Sequence, residues 1–92
     1  MYRWELLYFG AEWCAPCKAM QQILGKLKED SEVNCVIEKV DIEKEPELTN
    51  QYNVTTLPTL LLTKNNTEVK RRVGTVPYEQ LKTWIKEAQD TN

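Results

Sequence analysis

Strand-like and helix-like segments alternate along this chain, which predicts an α/β fold with elements in the order βαβαββα. Three observations carry that expectation. Two runs, "WELLYFG" and "EVNCVIEKVDI", are rich in the apolar, aromatic and β-branched residues that buried strands use. Two other segments, 17–27 and 78–88, repeat apolar residues at steps of three and four, the spacing of one helix face. Between them, "LPTLLLT", "KNNT" and "EVKRRVG" read as a strand, an asparagine turn and a second strand, hence a hairpin.

Taken in order, Trp4 to Gly10 is almost continuously apolar and aromatic, as in a strand covered on both faces. The first helix has an apolar face of Cys17, Met20, Ile23, Leu24 and Leu27. Pro16 suits its first turn, where no backbone donor is needed. Gly25 inside it costs about 1 kcal/mol against alanine, which packing of the apolar face can absorb. Glu32 to Ile42 reads as a second buried strand in which Cys35, alternating with Val33 and Ile37, is an inert buried thiol. Strand, helix and strand in succession imply a right-handed parallel unit. In "EKEPELTNQYNV", acidic residues and Pro46 open a short helix, as helix N-termini prefer. The hairpin follows. Pro77 then starts a last helix with Tyr78, Leu81, Trp84, Ile85 and Ala88 on its apolar face. There is no internal repeat, linker or low-complexity segment.

Ninety-two residues, 41% of them hydrophobic, suffice for one core and one domain, residues 1–92. Twelve basic residues nearly balance fourteen acidic ones, leaving a formal net charge of −2. The longest basic cluster, Lys70-Arg71-Arg72, is too short to suggest a nucleic-acid or membrane surface. No apolar run approaches the roughly 20 residues of a membrane helix. The opening "MYRWELLYFG" carries a glutamate where a signal peptide keeps an unbroken apolar stretch. The chain is read as a cytoplasmic monomer.

Three cysteines, an odd count in a chain with core enough to fold unaided, argue against a disulfide scaffold. Cys14 and Cys17 admit three readings: ordinary buried thiols, half of a metal site, or a reversible dithiol. A structural zinc site takes four thiolate or imidazole ligands, and this chain has three cysteines and no histidine. A metal site therefore does not close within one chain, although a cluster shared between two chains stays open. Chance core cysteines explain the spacing but not the position, where a strand ends and a helix begins. The dithiol explains both. At a helix start the first N–H groups lack partners and the peptide dipoles leave partial positive charge, which favours a thiolate. Cys14 is thus expected to ionise more readily and act as nucleophile, with a weak positive contribution from Lys18. Cys17, one turn in on the apolar side, is expected to be more buried and to resolve the mixed disulfide. Pro16 limits backbone freedom between them.

With these residues in view, "AEWCAPCK" resembles the active-site segment of the thioredoxin family. "EKVDIEKEP" resembles its next strand and helix, and "LPTLLLTKNNTEVKRRVG" its hairpin. The resemblance covers nearly the whole chain. It implies the thioredoxin fold, a mixed four-stranded sheet with helices on both faces, the first and last helices on one and the middle helix on the other. Residue by residue, Cys14 resembles the attacking and Cys17 the resolving cysteine of the redox disulfide. Trp13 resembles the tryptophan that shields the site and contacts substrate. Leu57-Pro58 resembles the dipeptide whose cis bond presents backbone groups to an extended substrate. Gly74 resembles a glycine that lets substrate approach, and it also reads as an ordinary turn residue.

Four departures stand beside the matches. Only thirteen residues precede Cys14, so the strand and helix that open a full-length thioredoxin are expected to be absent, giving a minimal version. Ala15 stands where the family usually has glycine, in the dipeptide that tunes redox poise. Tyr8 stands where many thioredoxins bury an aspartate, while Lys39 matches the lysine that accompanies it. A tyrosine, with a pKa near 10, is a poor base at neutral pH. Either its hydroxyl or a water does the proton work more slowly, or Tyr8 is core packing. Gly10 stands where a second tryptophan often lies.

The resemblance implies a protein-disulfide reductase that acts on disulfide-containing proteins. It binds no cofactor or metal of its own, and its electrons come from an NADPH-dependent flavin enzyme of the thioredoxin-reductase kind. Other readings are a glutaredoxin-like oxidoreductase, although "WCAPC" lacks the aromatic residue typical between glutaredoxin cysteines, and a thioredoxin-fold binding subunit whose dithiol is secondary. A disulfide oxidase or isomerase is disfavoured by the missing signal peptide.

Overall fold

A computed structural model describes residues 3–91 of the chain; Met1 and Tyr2, the first residues of the stretch weighed as a signal peptide, and Asn92 lie outside it. Seven elements follow in the expected order: β1 (Trp4–Gly10), α1 (Ala15–Lys28), β2 (Val36–Asp41), α2 (Pro46–Gln51), β3 (Thr59–Lys64), β4 (Thr67–Val73) and α3 (Tyr78–Thr91). The strands form one mixed sheet in the order β2-β1-β3-β4. β1 pairs parallel with β2 and antiparallel with β3, and β3 pairs antiparallel with β4.

Side chains alternate across a strand, so β1 serves two cores. Leu6 and Tyr8 face one side, where they join Leu60 and Leu62 of β3, Met20, Leu24 and Leu27 of α1, and Leu81, Ile85 and Ala88 of α3. Leu7 and Phe9 face the other with Leu61 and Val40, covered by Leu48 and Tyr52 from the α2 region. The first and last helices thus share one face and the middle helix takes the other. The three-and-four spacing on α1 and α3 marks the residues that are buried there, with Ile23, Tyr78 and Trp84 at the half-buried margins.

The buried strand expected over Glu32–Ile42 is shorter and more open. β2 covers Val36–Asp41 and only Val40 in it is buried, while Cys35 precedes the strand and is half-buried. The physical reason is position: β2 is a sheet edge, and β-branched residues report a liking for pleated backbone rather than cover on both faces. Burial still pushes the Cys35 thiol up to about 11, so it stays protonated at neutral pH.

The hairpin turn places Asn65 and Asn66 at φ of 51° and 68°, left-handed values that asparagine tolerates. The Asn65 N–H donates to the Arg3 carbonyl at 2.8 Å, and the Arg3 N–H returns a bond to Asn65 Oδ1 at 2.8 Å, tying the start of β1 to the turn. The basic triplet on β4 is engaged locally. Arg71 forks onto Glu68 and also donates to the Tyr52 carbonyl at 2.7 Å, and Lys70 Nζ lies 5.8 Å from the Trp84 ring centre. At the far end of α1, the Tyr78 hydroxyl donates to Asp30 and Lys82 bridges Asp30 and Glu32, bracing α1 against α3.

Candidate active site

β1 delivers the chain directly to the dithiol. After Gly10 the backbone turns, with the Cys14 N–H donating to the Ala11 carbonyl at 3.2 Å, and α1 begins at the next residue. Cys14 is the N-cap of α1, at φ −90° and ψ 107°, and its sulfur accepts the Cys17 N–H at 3.3 Å. A thiol sulfur here fills the place that a serine or aspartate oxygen usually takes at a helix start. The first turn contains Pro16 and no acidic residue, so no carboxylate within that turn offsets the partial positive charge of the helix end.

Cys14 and Cys17 are joined in a disulfide with their Cα atoms 5.2 Å apart, inside the usual range for such bonds. Cys17 is fully enclosed at 0% exposure and Cys14 keeps 6%, on the side where Trp13 stands 66% exposed. A cleft of about 510 Å³ opens beside Cys14. One wall is Trp13, Cys14, Ala15 and Pro16, and the other is Ile42, Leu57 and residues 54–56. Every lining residue is uncharged.

The Leu57-Pro58 bond is cis, and Leu57 lines the cleft. The Gly74 N–H donates to the Pro58 carbonyl at 2.8 Å, so Gly74 lies beside that dipeptide at a φ of 92° that a side chain would strain. The Val76 N–H meets Met20 Sδ at 3.4 Å, fastening this loop to α1. Lys18 is exposed on α1, outside the cleft lining.

Behind the disulfide lies Tyr8. Its hydroxyl, buried in the core, donates to the Cys17 carbonyl at 3.0 Å. Burial raises its pKa above the usual tyrosine value, and a hydrogen bond with the Gln21 side chain lowers it by a smaller amount. The phenol is therefore neutral at neutral pH. Lys39 is opposite Tyr8 in the β1–β2 register and is exposed. Tyr8, Gly10, Gln21 and Lys39 border a small recess of about 100 Å³.

The structure thus gathers Trp13, Cys14, Ala15, Pro16, Cys17 and Leu57 at one end of α1, sets Pro58 and Gly74 beside them, and leaves Tyr8 and Lys39 behind. Sequence reasoning found Leu57 but missed the rest of the second cleft wall, and it missed Gln21. Ile42 and residues 54–56 arrive from distant chain positions without distinctive chemistry. The only local signal is Asn53 at a left-handed φ of 54°, which ends the α2 region. Among the described residues no three His, Cys, Asp or Glu side chains stand together as a metal site, and no helix is long and apolar enough to cross a membrane.

Comparison with known proteins agrees with this geometry. The sequence model of the thioredoxin family matches residues 3–87. A thioredoxin from Alicyclobacillus acidocaldarius is 36% identical over 76 residues, covering 83% of this chain and 72% of the relative. One from Chlamydia trachomatis is 44% identical over 69 residues, covering 75% and 67% respectively. Among solved structures, thioredoxin-2 of a malaria parasite superposes with a TM-score of 0.87 at 31% identity, over 94% of this chain and 84% of that one. A thioredoxin mutant from Halobacterium salinarum gives 0.85 at 28% identity, over 92% and 74%. With the family model matching from β1 into α3 and a bonded cysteine pair at the start of α1, the chain belongs to the thioredoxin family and is a thiol-disulfide oxidoreductase.

Proposed function

We propose that Cys14 is the attacking and Cys17 the resolving thiol of a protein-disulfide reductase. The observation that carries this reading is the N-cap: the Cys14 sulfur accepts an N–H from the first turn of α1 and borders the cleft, while Cys17 is enclosed. A Cys14 thiolate placed there is stabilised by the helix end. It attacks one sulfur of a substrate disulfide, whose other sulfur leaves as a thiolate and takes a proton from solvent. Cys17 then gives up its proton and attacks the Cys14 sulfur. The substrate departs with both sulfurs reduced, and the Cys14–Cys17 disulfide holds the two electrons' worth of oxidation.

Family membership brings disulfide-bearing proteins as substrates and thioredoxin reductase as partner, and thioredoxins carry no bound cofactor. We infer further that electrons reach the disulfide from NADPH through a flavin reductase. The 92 residues act as one domain, a monomer in the cytoplasm that engages neither nucleic acid nor membrane. Trp13, Leu57, Pro58 and Gly74 receive an extended segment of the substrate. Ala15 and Pro16 set the redox poise, Lys18 adds positive charge near the thiolate, and Tyr8 and Lys39 support the pair from behind.

Trapping tests these roles. Cys17→Ser should accumulate a stable mixed disulfide with a disulfide-bonded substrate such as insulin, and Cys14→Ser should accumulate none. Turnover in both variants should fall about a thousandfold or more, because the two thiols act as a unit. Trapping by Cys14→Ser instead would reverse the assignment.

A further inference from the structure

Tyr8 does more than fill the core. A phenylalanine would occupy the same volume, yet this buried position carries a hydroxyl, and it donates to one particular atom, the carbonyl oxygen of Cys17, at 3.0 Å. A carbonyl has two lone pairs, and a helix N–H uses only one of them. The second bond, made from β1 across to the first turn of α1, fixes the backbone of residue 17 from outside the helix. The sulfur of Cys17 then moves from a fixed base. Gln21, one turn further along α1, borders the same small recess as the phenol, so the ring lies between β1 and two successive turns of the helix.

Gly10 explains how a ring of this size lies there. Residues 8 and 10 point to the same face of β1. A Cβ at position 10 would fall 2.5 Å from the Tyr8 hydroxyl oxygen and 2.7 Å from Cζ, distances that real Cβ atoms do not tolerate. The backbone of Gly10 has an ordinary strand conformation within β1, so what demands glycine is the phenol and not the chain. Tyr8 and Gly10 form one unit in which the second residue vacates the space that the first one uses.

We propose that Tyr8 is a positioning residue for the resolving step, holding Cys17 through its carbonyl, and that Gly10 is required because it leaves room for the Tyr8 hydroxyl. The inference rests on the attacking and resolving roles given above to Cys14 and Cys17. Loss of the hydroxyl leaves the chemistry of both thiols in place but lowers the fraction of time Cys17 is aligned with the Cys14 sulfur.

The test loads Cys14 of the reduced protein with thionitrobenzoate and follows release of that group as Cys17 closes the disulfide. The wild type, Tyr8→Phe, Gly10→Ala and the double variant are compared. In Tyr8→Phe, release should slow by about three- to tenfold, the worth of one net hydrogen bond. The Cys14–Cys17 equilibrium constant against glutathione should fall by a similar factor, raising the potential by up to about 30 mV for a tenfold change. Gly10→Ala should reproduce both effects by displacing the phenol. The double variant should be no worse than either single one on these two readouts, because both changes break the same bond. A Tyr8→Phe protein that is less stable yet releases thionitrobenzoate at the wild-type rate with an unchanged equilibrium constant would overturn the proposal, leaving Tyr8 as packing. Failure of the wild type itself to release the group would instead sink the assignment of the two cysteines.

Discussion

Each end of α1 is held by a tyrosine hydroxyl, and the two ends are built from opposite materials. At the N-terminal end, Tyr8 is buried and donates to a neutral backbone carbonyl, beside two sulfurs and an uncharged cleft. At the C-terminal end, Tyr78 donates to the Asp30 carboxylate, which also receives Lys82 and the Glu32 N–H, while Lys26 Nζ lies 4.5 Å from the Tyr78 ring centre. The contact at the charged end depends directly on salt and pH, whereas the bond from the neutral Tyr8 phenol to a backbone carbonyl joins two uncharged groups.

The contrast can be broken most forcefully at Gly10. Gly10→Val forces two methyl groups into the phenol and should cost about 1–3 kcal/mol in urea denaturation, as overpacking of a filled core does. A cost within a few tenths would mean that the ring moves aside freely and that the neutral end is looser than its geometry implies.

The charged end should respond less strongly and in a different way. Lys82→Ala removes the bridge to Asp30 and Glu32, and its shift in urea midpoint should be smaller than that of Gly10→Val and should shrink towards zero in about 1 M salt, where the Debye length is near 3 Å. pH sharpens the point. The Tyr78 hydroxyl, then the Glu32 N–H and Lys82, hold the Asp30 carboxyl below its ordinary value of 3.8. A carboxyl depressed on folding stabilises the protein above its unfolded pKa, and that contribution disappears as pH falls through the folded one. Melting temperature should therefore drop between about pH 5 and about pH 2, and Asp30→Asn should flatten that slope. An unchanged slope would remove Asp30 from the account.

Gly25, between the two ends of α1, offers the smallest effect. Beyond its chain neighbours and the backbone of its own helix, no atom lies within 4 Å of where its Cβ would sit. Gly25→Ala should stabilise the protein by roughly 0.5–1 kcal/mol through helix propensity alone, read by thermal melting, and should leave redox turnover unchanged. A change in turnover would show that the stiffness of α1 couples its two ends.

Most of the architecture was legible because its signals are periodic. Leu24, Leu27, Leu81 and Ile85 announce helix faces by spacing alone, and Asn65-Asn66 announces the hairpin by conformational tolerance. Burial of β2 was not legible, since Val36 and Ile37 mark strand backbone without saying whether another strand lies beyond. At the site, Cys14 and Cys17 were readable from the strand-to-helix junction, whereas Ile42 and Val54 carry no chemical mark and reach the cleft only through the fold. The dependence of Gly10 on Tyr8 was hidden for a different reason. It is set by the direction in which a phenol leans across one strand, and no residue type encodes that.

The two open edges of the sheet have a consequence for how the molecule meets other chains. β2 carries Glu38, Lys39 and Asp41, and β4 carries Glu68, Lys70, Arg71 and Arg72, so both edges present charge to any extended backbone seeking a partner strand. The cleft beside Cys14 presents none. An incoming chain is thereby discouraged from adding to the sheet and growing an aggregate, while the uncharged cleft next to the sulfur sets no such charge against it.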